Sequence, residues 1–596
     1  MLTVSSGFAA AVAAPSRLTR ARVRLEVLDT KAWLDNAKEA SSEAAISRVH
    51  QVTNRERQPV AALATFEPNY WRLDGSFVIP PEPGDLPEVE IGWWSANLCE
   101  AQGVFTPPET INITCGALYN AAGLTITFDP AANEYATDFT VTAYDGVNNI
   151  IYQEVVTGNT SPTYRVERVI PQFRRVNLVI SKWGHGQRRA RVTEIDFGLI
   201  EDYGEDNLVD MSLINEMDPT SATLPAGELR FRMNNSDRRF NITNPQGLHY
   251  FLQRRQRVTA DLGVEVDGRL EYVPAGAYYL TDWKSDHGTL TASFVARDLL
   301  DVLGEGTRYR RGRLQTMTAY ELAEDILQDA GVVDYAIDPA LKAVQLVGCV
   351  PLVSHRDALQ LVAVASQAVV RVDRRDRLIF ERLDNLEPVA TIDMVNQWDT
   401  PAITLDRLAT AVNVEIVGHR LRGSAEVYTG TVAVEDQAEV WVEYSNPCQN
   451  HAVTVTGGTL DSAEHYAYAS RLVIGGAGPV DISITADEME LTRSIYTLQS
   501  DDPLSAGEQP QTLTVKNPLI SSATVAAEVA GWLLDEAKQR LLYDVNWRQN
   551  PALECGDLVA IEDEFGETKV ARITRQEYEF AGYVSGRTRA KGGGSG

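Results

Sequence analysis

Residues 182–189, KWGHGQRR, gather Trp183, His185, Arg188 and Arg189 in one stretch, with two glycines that let the chain bend. A flat indole against the apolar face of a pyranose, with planar polar groups for its hydroxyls, is the chemistry of sugar recognition. Tyr144 and Asp145 sit at a second turn, and Trp93 and Trp94 make a third aromatic spot. Trp183, His185, Arg188 and Tyr144 are the candidate glycan-binding residues. A packing role is also open to Trp183, because tryptophans usually bury most of their area. If Trp93 and Trp94 lie in a strand they point opposite ways, so at most one faces the core and the other is exposed or covered.

No signature of catalysis accompanies these groups. The chain has no HExxH, phosphate-binding loop, nucleophile elbow or dinucleotide fingerprint. Its 8 histidines are dispersed, none beside a Ser or Cys nucleophile in a known pattern. A pair of catalytic carboxylates meets only in space, so sequence leaves that chemistry open. The expectation is a non-enzyme with no cofactor and no metal. Five scattered cysteines (Cys99, Cys115, Cys349, Cys448, Cys555) form no CxxC or Cys/His cluster, which fits folding in a reducing compartment. The net charge of -28, from 54 Lys+Arg against 82 Asp+Glu, repels phosphate backbones and argues against stable nucleic-acid binding. Against this background Arg254, Arg255 and Arg257, and Arg308, Arg310, Arg311 and Arg313, stand out. They read as subunit-interface partners or as solvated loops. No apolar run approaches the ~20 residues of a membrane helix. The N-terminal GFAAAVAAP has its arginines after it rather than before, the wrong order for a signal peptide.

Several elements must position these residues. In residues 15–29 Val23, Leu25 and Val27 alternate with Arg22, Arg24 and Glu26, a period-two strand. Residues 36–58 lack a period and read as a linker or arm. From 61 to 198 the pattern is all-β, with alternation at Leu124/Ile126/Phe128, Phe139/Val141/Ala143 and Val176/Leu178/Ile180 and turns every dozen residues or so. Residues 224–309 alternate again between turns at Asn234-Asn235, Asn244-Pro245-Gln246-Gly247, Asp267-Gly268 and Asp286-His287-Gly288. The period then changes. Thr318 opens a capping-box helix through Leu322, Ile326, Leu327 and Ala330, and Ser354 opens a second through Leu361, Val362, Ala365 and Ala368. A hairpin with Arg375-Asp376 at its tip follows. Strands return at 401–500 (Val412, Val414, Ile416). A helix is predicted over 523–541, with Val525, Val529, Trp532 and Leu533 on one stripe. A last β segment begins NPALECGDLVAIED, and the closing GGGSG reads as a flexible tail or linker scar.

The strings GLTITFDPAANEYATDFTVTAYDG and FRRVNLVISKWGHGQRRARVTEIDFG resemble discoidin or galactose-binding jelly-roll domains. The block 224–309, the helix-helix-hairpin piece, the second β-block and the xPxLxxGDxV string resemble, in that order, the tail-hub (baseplate hub) proteins of bacteriophages. The fold class is then mainly β with a small α/β module: a multidomain hub of β-barrels, a β-sandwich (jelly-roll) insertion and a C-terminal small barrel. The boundaries are 1–57 N-terminal strand and arm, 58–200 sandwich, 201–313 first barrel, 314–400 α/β domain, 401–510 second barrel, 511–590 helix and small barrel, and 591–596 tail. The resemblance implies a structural protein of the virion, at the distal tip of a tail. It implies a homotrimeric ring that caps the tail tube, with the two β-blocks as sectors of a pseudo-sixfold collar and acidic walls around the DNA path. Implied partners are tail tube and distal tail proteins, the tape measure protein, tail fibre or receptor-binding proteins, and host surface polysaccharide. Such a protein is assembled in the host cytoplasm, inserts into no membrane and needs no signal peptide. The other reading is a carbohydrate-binding or glycan-degrading enzyme that uses the sandwich as its binding module.

Overall fold

The computed structural model describes the chain apart from residues 29, 30, 34, 56, 58–61, 69, 72–76, 79–89, 205, 245, 246, 287, 385, 386, 503–508 and 594–596. Pro245, Gln246 and His287 of two expected turns, part of the 36–58 arm and the last three residues of the tail lie outside the described residues.

The alternation in residues 15–29 produces the strand Thr19–Leu28, whose Val23, Leu25 and Val27 are all buried. It pairs antiparallel with Gly198–Tyr203 on one side and Arg257–Val266 on the other. From there one sheet continues through Arg269–Asp286, Thr291–Arg297, Glu228–Asn234 and Leu208–Glu216. Leu208–Glu216 then pairs with Thr568–Phe580, so the first β-block and the C-terminal segment share a single 13-stranded sheet. Among the described residues that sheet is an open path rather than a closed ring. Its core joins Val23, Leu25, Phe231, Leu262, Phe294 and Tyr578. The N-terminal residues form a helix, Ser6–Ala13, which the sequence reading did not foresee; Ser5 caps it and Phe8 and Val12 anchor it on the same core.

The helical module follows its caps. Thr318 and Glu321 complete a reciprocal capping box on Ala319–Asp329, which buries Leu322, Ile326 and Leu327. Ser354 caps His355–Ser366, and the chain leaves that helix through Gln367 at φ +58°. The hairpin Val369–Val372 with Leu378–Glu381 turns at Asp376, whose φ is +73°. The third long helix, Ala523–Ala537, buries Val529 and Leu533 but leaves Val525 and Trp532 half-buried, and Ala526, Ala530 and Leu534 complete its packed face. It lies on the long strand Ala409–Val434, and both join the core of the helical module.

That long strand pairs with Gly478–Gln499 from Ala411 to Val434. Cys448–Thr456 and Gln511–Lys516 flank the ribbon, and a three-stranded sheet (Gln437–Glu443, Ala469–Gly475, Thr459–His465) closes its far end. The strand order of this block differs from that of 201–313. Two like sectors, as the pseudo-sixfold expectation requires, are therefore not what the strand orders provide.

The sandwich interrupts the frame between Leu28 and Gly198, which are register partners. One sheet holds Asn36–Ala40, Val104–Ala121, Ile170–Trp183, Ala136–Tyr144 and Ile150–Val156 in that order. Smaller sheets of Thr163–Val166, Leu124–Thr127 and Glu194–Asp196, and of Trp93–Leu98 with Arg189–Val192, complete it. Ile111, Ile113, Phe139, Val141, Leu178 and Phe128 fill its core. The expected linker over 36–58 is corrected here: Asn36–Ala40 is an edge strand, and Val49–Thr53 is a 3-10 turn whose Gln51 carboxamide accepts from the Ile91 and Gly92 amides. One face of this edge strand is exposed and the other only half-buried, and the half-buried face carries Asn36 and Lys38, so no apolar alternation marks it in the sequence. Trp93 and Trp94 are both buried, Trp93 in the sandwich core and Trp94 in a small cluster with Leu63, Tyr70 and Ile91.

Candidate functional site

The loop after Ile170–Trp183 is held from below by charge. Trp183 is 1% exposed; its ring packs edge-on against Phe128 at 5.9 Å, and its Nε1 donates to Glu134 at 3.0 Å. Arg188 is also buried, and its Nε donates to the other oxygen of Glu134 at 2.9 Å. Arg191, on the following strand, pairs with Glu67 and lies 3.7 Å from Asp129 and 3.5 Å from Glu134. Its guanidinium rests 4.0 Å over the Tyr70 ring and 4.2 Å over Trp94. Burial raises Asp129 above the ordinary carboxylate range even with Arg191 opposing it. Burial likewise pushes the Tyr70 phenol, which donates to Asp129 at 2.9 Å, above its usual value.

This arrangement corrects the expected ligand edge. Trp183 offers no face to a sugar, because a ring closed into the core has no free surface to stack on. Arg188 spends its charge on Glu134. His185 alone of the loop candidates is exposed, at the rim of a cleft of about 510 Å³ that Tyr70, Phe77, Ala132, Glu134 and Arg188 also line. Tyr144 is elsewhere. Trp183 pairs with Ala136, and Tyr144 lies eight residues further along that strand, roughly 26 Å away at ordinary strand rise. There its ring carries the Arg175 guanidinium at 4.0 Å. Sequence reasoning missed Glu67, Tyr70, Asp129, Glu134 and Arg191, and no local pattern marks them, since they come from separate segments.

A second buried network sits where the sandwich meets the frame. Glu26, 1% exposed on Thr19–Leu28, accepts from Arg57 at 3.0 Å and pairs with Arg257 at 3.5 Å and Arg55 at 3.3 Å. Arg57 also binds Asp196 at 2.7 Å, and Arg257 reaches Asp376 at 3.3 Å on the hairpin of the helical module. Glu194 accepts from the backbone amides of Asn54 and Arg55. Burial would raise Glu26, but Arg57, Arg257 and Arg55 together hold it below the usual range. Burial, then the Asp196 charge, pushes Glu194 well up. Arg257 thus finds its partners within the chain, as do Arg310 with Glu443 at 2.8 Å and Arg311 with Asp329 at 3.0 Å. Arg254, Arg255 and Arg308 are exposed.

Among the described residues no group of three or more His, Cys, Asp or Glu could hold a metal ion. The cysteines are free thiols; burial pushes Cys349 and Cys555 up to about 12, the opposite of an activated nucleophile. No helix among the described residues is long and apolar enough to cross a membrane.

No family model and no curated protein matches the chain. Solved structures similar to it include phage tail proteins. The tail protein from Neisseria meningitidis MC58 is 11% identical with a TM-score of 0.38, over 66% of this chain and 93% of that one. The 43 kDa tail protein of prophage MuSo2 from Shewanella oneidensis is 11% identical with a TM-score of 0.38, over 65% and 95%. Part of the chain is also similar to chitosan-binding module 1 of a chitosanase/glucanase from Paenibacillus sp. IK-5, at 13% identity and a TM-score of 0.19, over 29% of this chain and 99% of that module.

Proposed function

We propose that this chain is a structural tail-hub protein at the distal tip of a phage tail or tail-like particle, with the sandwich between Leu28 and Gly198 as an outward module that contacts host-surface glycan. The observation that carries the reading is the way the sandwich is hung. Its flanking strands are register partners, Leu28 beside Gly198, and the frame they belong to is completed by strands from the far C-terminus, Met211 beside Phe580. A continuous β-frame that joins the N-terminal, first-block and C-terminal strands, with a separate module hanging from one strand pair, suits a ring component that also touches a surface.

Three copies form a ring that caps the tail tube, with the first β-block (201–313), the α/β module (314–400) and the second β-block (401–510) side by side in each copy. Because the two β-blocks are unlike, the collar is threefold rather than sixfold in detail. Tube, tape measure and fibre proteins are the neighbours. The work is assembly and contact rather than catalysis, and the acidic surface keeps passing DNA from adhering.

Imaging assembled particles with this chain labelled tests the placement, and density along the shaft or within the capsid refutes it. Light scattering of the purified chain tests the ring: a mass near three times 65.6 kDa is expected, or that mass plus the partner's when a tube protein is bound.

A further inference from the structure

The five-stranded sheet of the sandwich buries Ile111, Ile113, Val176, Leu178, Val141 and Ala143, so the residues between them face away from the core. In register across the strands, Glu39, Asn112, Asn177, Thr142 and Gln153 form one row. Thr114, Arg175, Tyr144 and Ile150 form the next row on one side, and Thr110, Val179, Thr140 and Val155 the next on the other. A solvated sheet face usually carries alternating charges. This one, in a chain of net charge -28, carries only Glu39 at one edge and Arg175 within those three rows.

What it carries instead is hydrogen-bonding capacity held in place. Asn177 Nδ2 donates to Asn112 Oδ1 at 2.9 Å, and Gln153 Nε2 donates to Thr142 Oγ1 at 3.3 Å. Each amide has two donor hydrogens and a two-lone-pair oxygen, so these bonds fix the planes and leave most of that capacity over. The Arg175 guanidinium sits 4.0 Å from the Tyr144 ring centroid, and its buried Nε has no hydrogen-bond partner. Ile150 and Val155, beyond Gln153 on the edge strand, are exposed apolar side chains.

We infer that this outer face binds a neutral oligosaccharide laid across the strands. The inference rests on the reading of the sandwich as a glycan-contact module, and it moves the contact from the loop at 182–189 to the sheet. Planar amides and the hydroxyls of Thr110, Thr114 and Thr140 pair with vicinal hydroxyls, while the buried Thr142 fixes Gln153. The Arg175–Tyr144 pair and the two aliphatic side chains meet the apolar edges of the sugar rings. Charge complementarity selects the class: a nearly uncharged strip on a strongly acidic chain suits an uncharged polymer and disfavours a polyanion. Five strands at ordinary spacing span about 19 Å, long enough for an oligosaccharide rather than a single ring.

Affinity electrophoresis of the full chain in gels holding galactomannan, hydroxyethylcellulose, glycol chitin or polygalacturonate tests this. At least one neutral polymer is expected to retard the chain, and polygalacturonate is not. Asn177→Ala and Tyr144→Ala are expected to weaken retardation about ten-fold, and Gln153→Ala, at an exposed edge position that leaves folding intact, about three-fold. Gln187→Ala and His185→Ala, at the loop cleft, are expected to change it less than two-fold. Loss of retardation with His185→Ala but not with the sheet variants overturns the location and leaves glycan contact standing. Preference for polygalacturonate overturns the neutral class. No retardation of the folded chain by any of the polymers overturns both the inference and the glycan reading beneath it.

Discussion

The two buried ionic networks are made of the same groups and do different work. Around Glu134, carboxylates and arginines from one module lock a loop to its own sandwich. Around Glu26, the partners come from three stretches: the frame (Glu26, Arg257), the sandwich (Arg57, Asp196) and the helical module (Asp376). The first is local architecture, and the second is a joint. Buried ion pairs contribute little net stability against apolar replacements, but losing one partner leaves an uncompensated charge. Where a network lies therefore decides what its loss disturbs.

Arg191→Ala breaks the comparison most directly, because it strips Glu67, Asp129 and Glu134 of a shared cation in the module's interior. A loss of about 3–5 kcal/mol in denaturant unfolding is expected, confined to the sandwich transition. A global transition shifted as a whole would show that the two regions are not separate. Glu26→Gln keeps the shape and removes the charge; a loss of about 2–3 kcal/mol is expected, with faster proteolysis between sandwich and frame than within either.

The joint also has a signature in acid. Glu194 has its folded pKa raised above its unfolded value, so the folded state takes up its proton first and stability rises as pH falls through that folded value toward about 4.5. Glu26 has its folded pKa lowered, so its contribution is present above about 4.5 and is lost as pH falls through the depressed value. Thermal melts against pH should therefore rise on mild acidification and then fall. Glu194→Gln should shrink the rise, to which the raised Asp129 and Asp298 also contribute, and keep the fall. The smallest effect belongs to a pair in solvent: Arg24→Ala, which breaks an exposed 2.7 Å contact with Asp202, should cost less than about 1 kcal/mol. A larger loss would mean that burial is not what separates strong from weak pairs here.

Local grammar was readable and long-range company was not. Alternation placed Thr19–Leu28 and Leu124–Thr127, and the Thr318 and Ser354 caps placed two helices, because period and capping are properties of a few neighbouring residues. Nothing in residues 208–216 announces that their sheet partner lies at 575–580. Among 82 acidic residues, sequence does not tell which three meet Arg191. The same gap explains Trp183. A loop with Trp, His and Arg spaced around two glycines fits a ligand edge, and only the arrival of Glu134 from another segment turns two of those side chains inward. Tyr144 was legible as an aromatic near a turn, but the row of amides beside it required knowing the register of five strands.

Because Leu28 and Gly198 stand side by side, everything between them is a cassette. A short turn joining the two positions would restore an ordinary hairpin, and a different module could be spliced there provided that it also answered the buried Glu26 carboxylate, whose partners Arg55 and Arg57 belong to the cassette. Exchange of that segment alone would then change the surface the sandwich presents while leaving the order of the frame strands as it is.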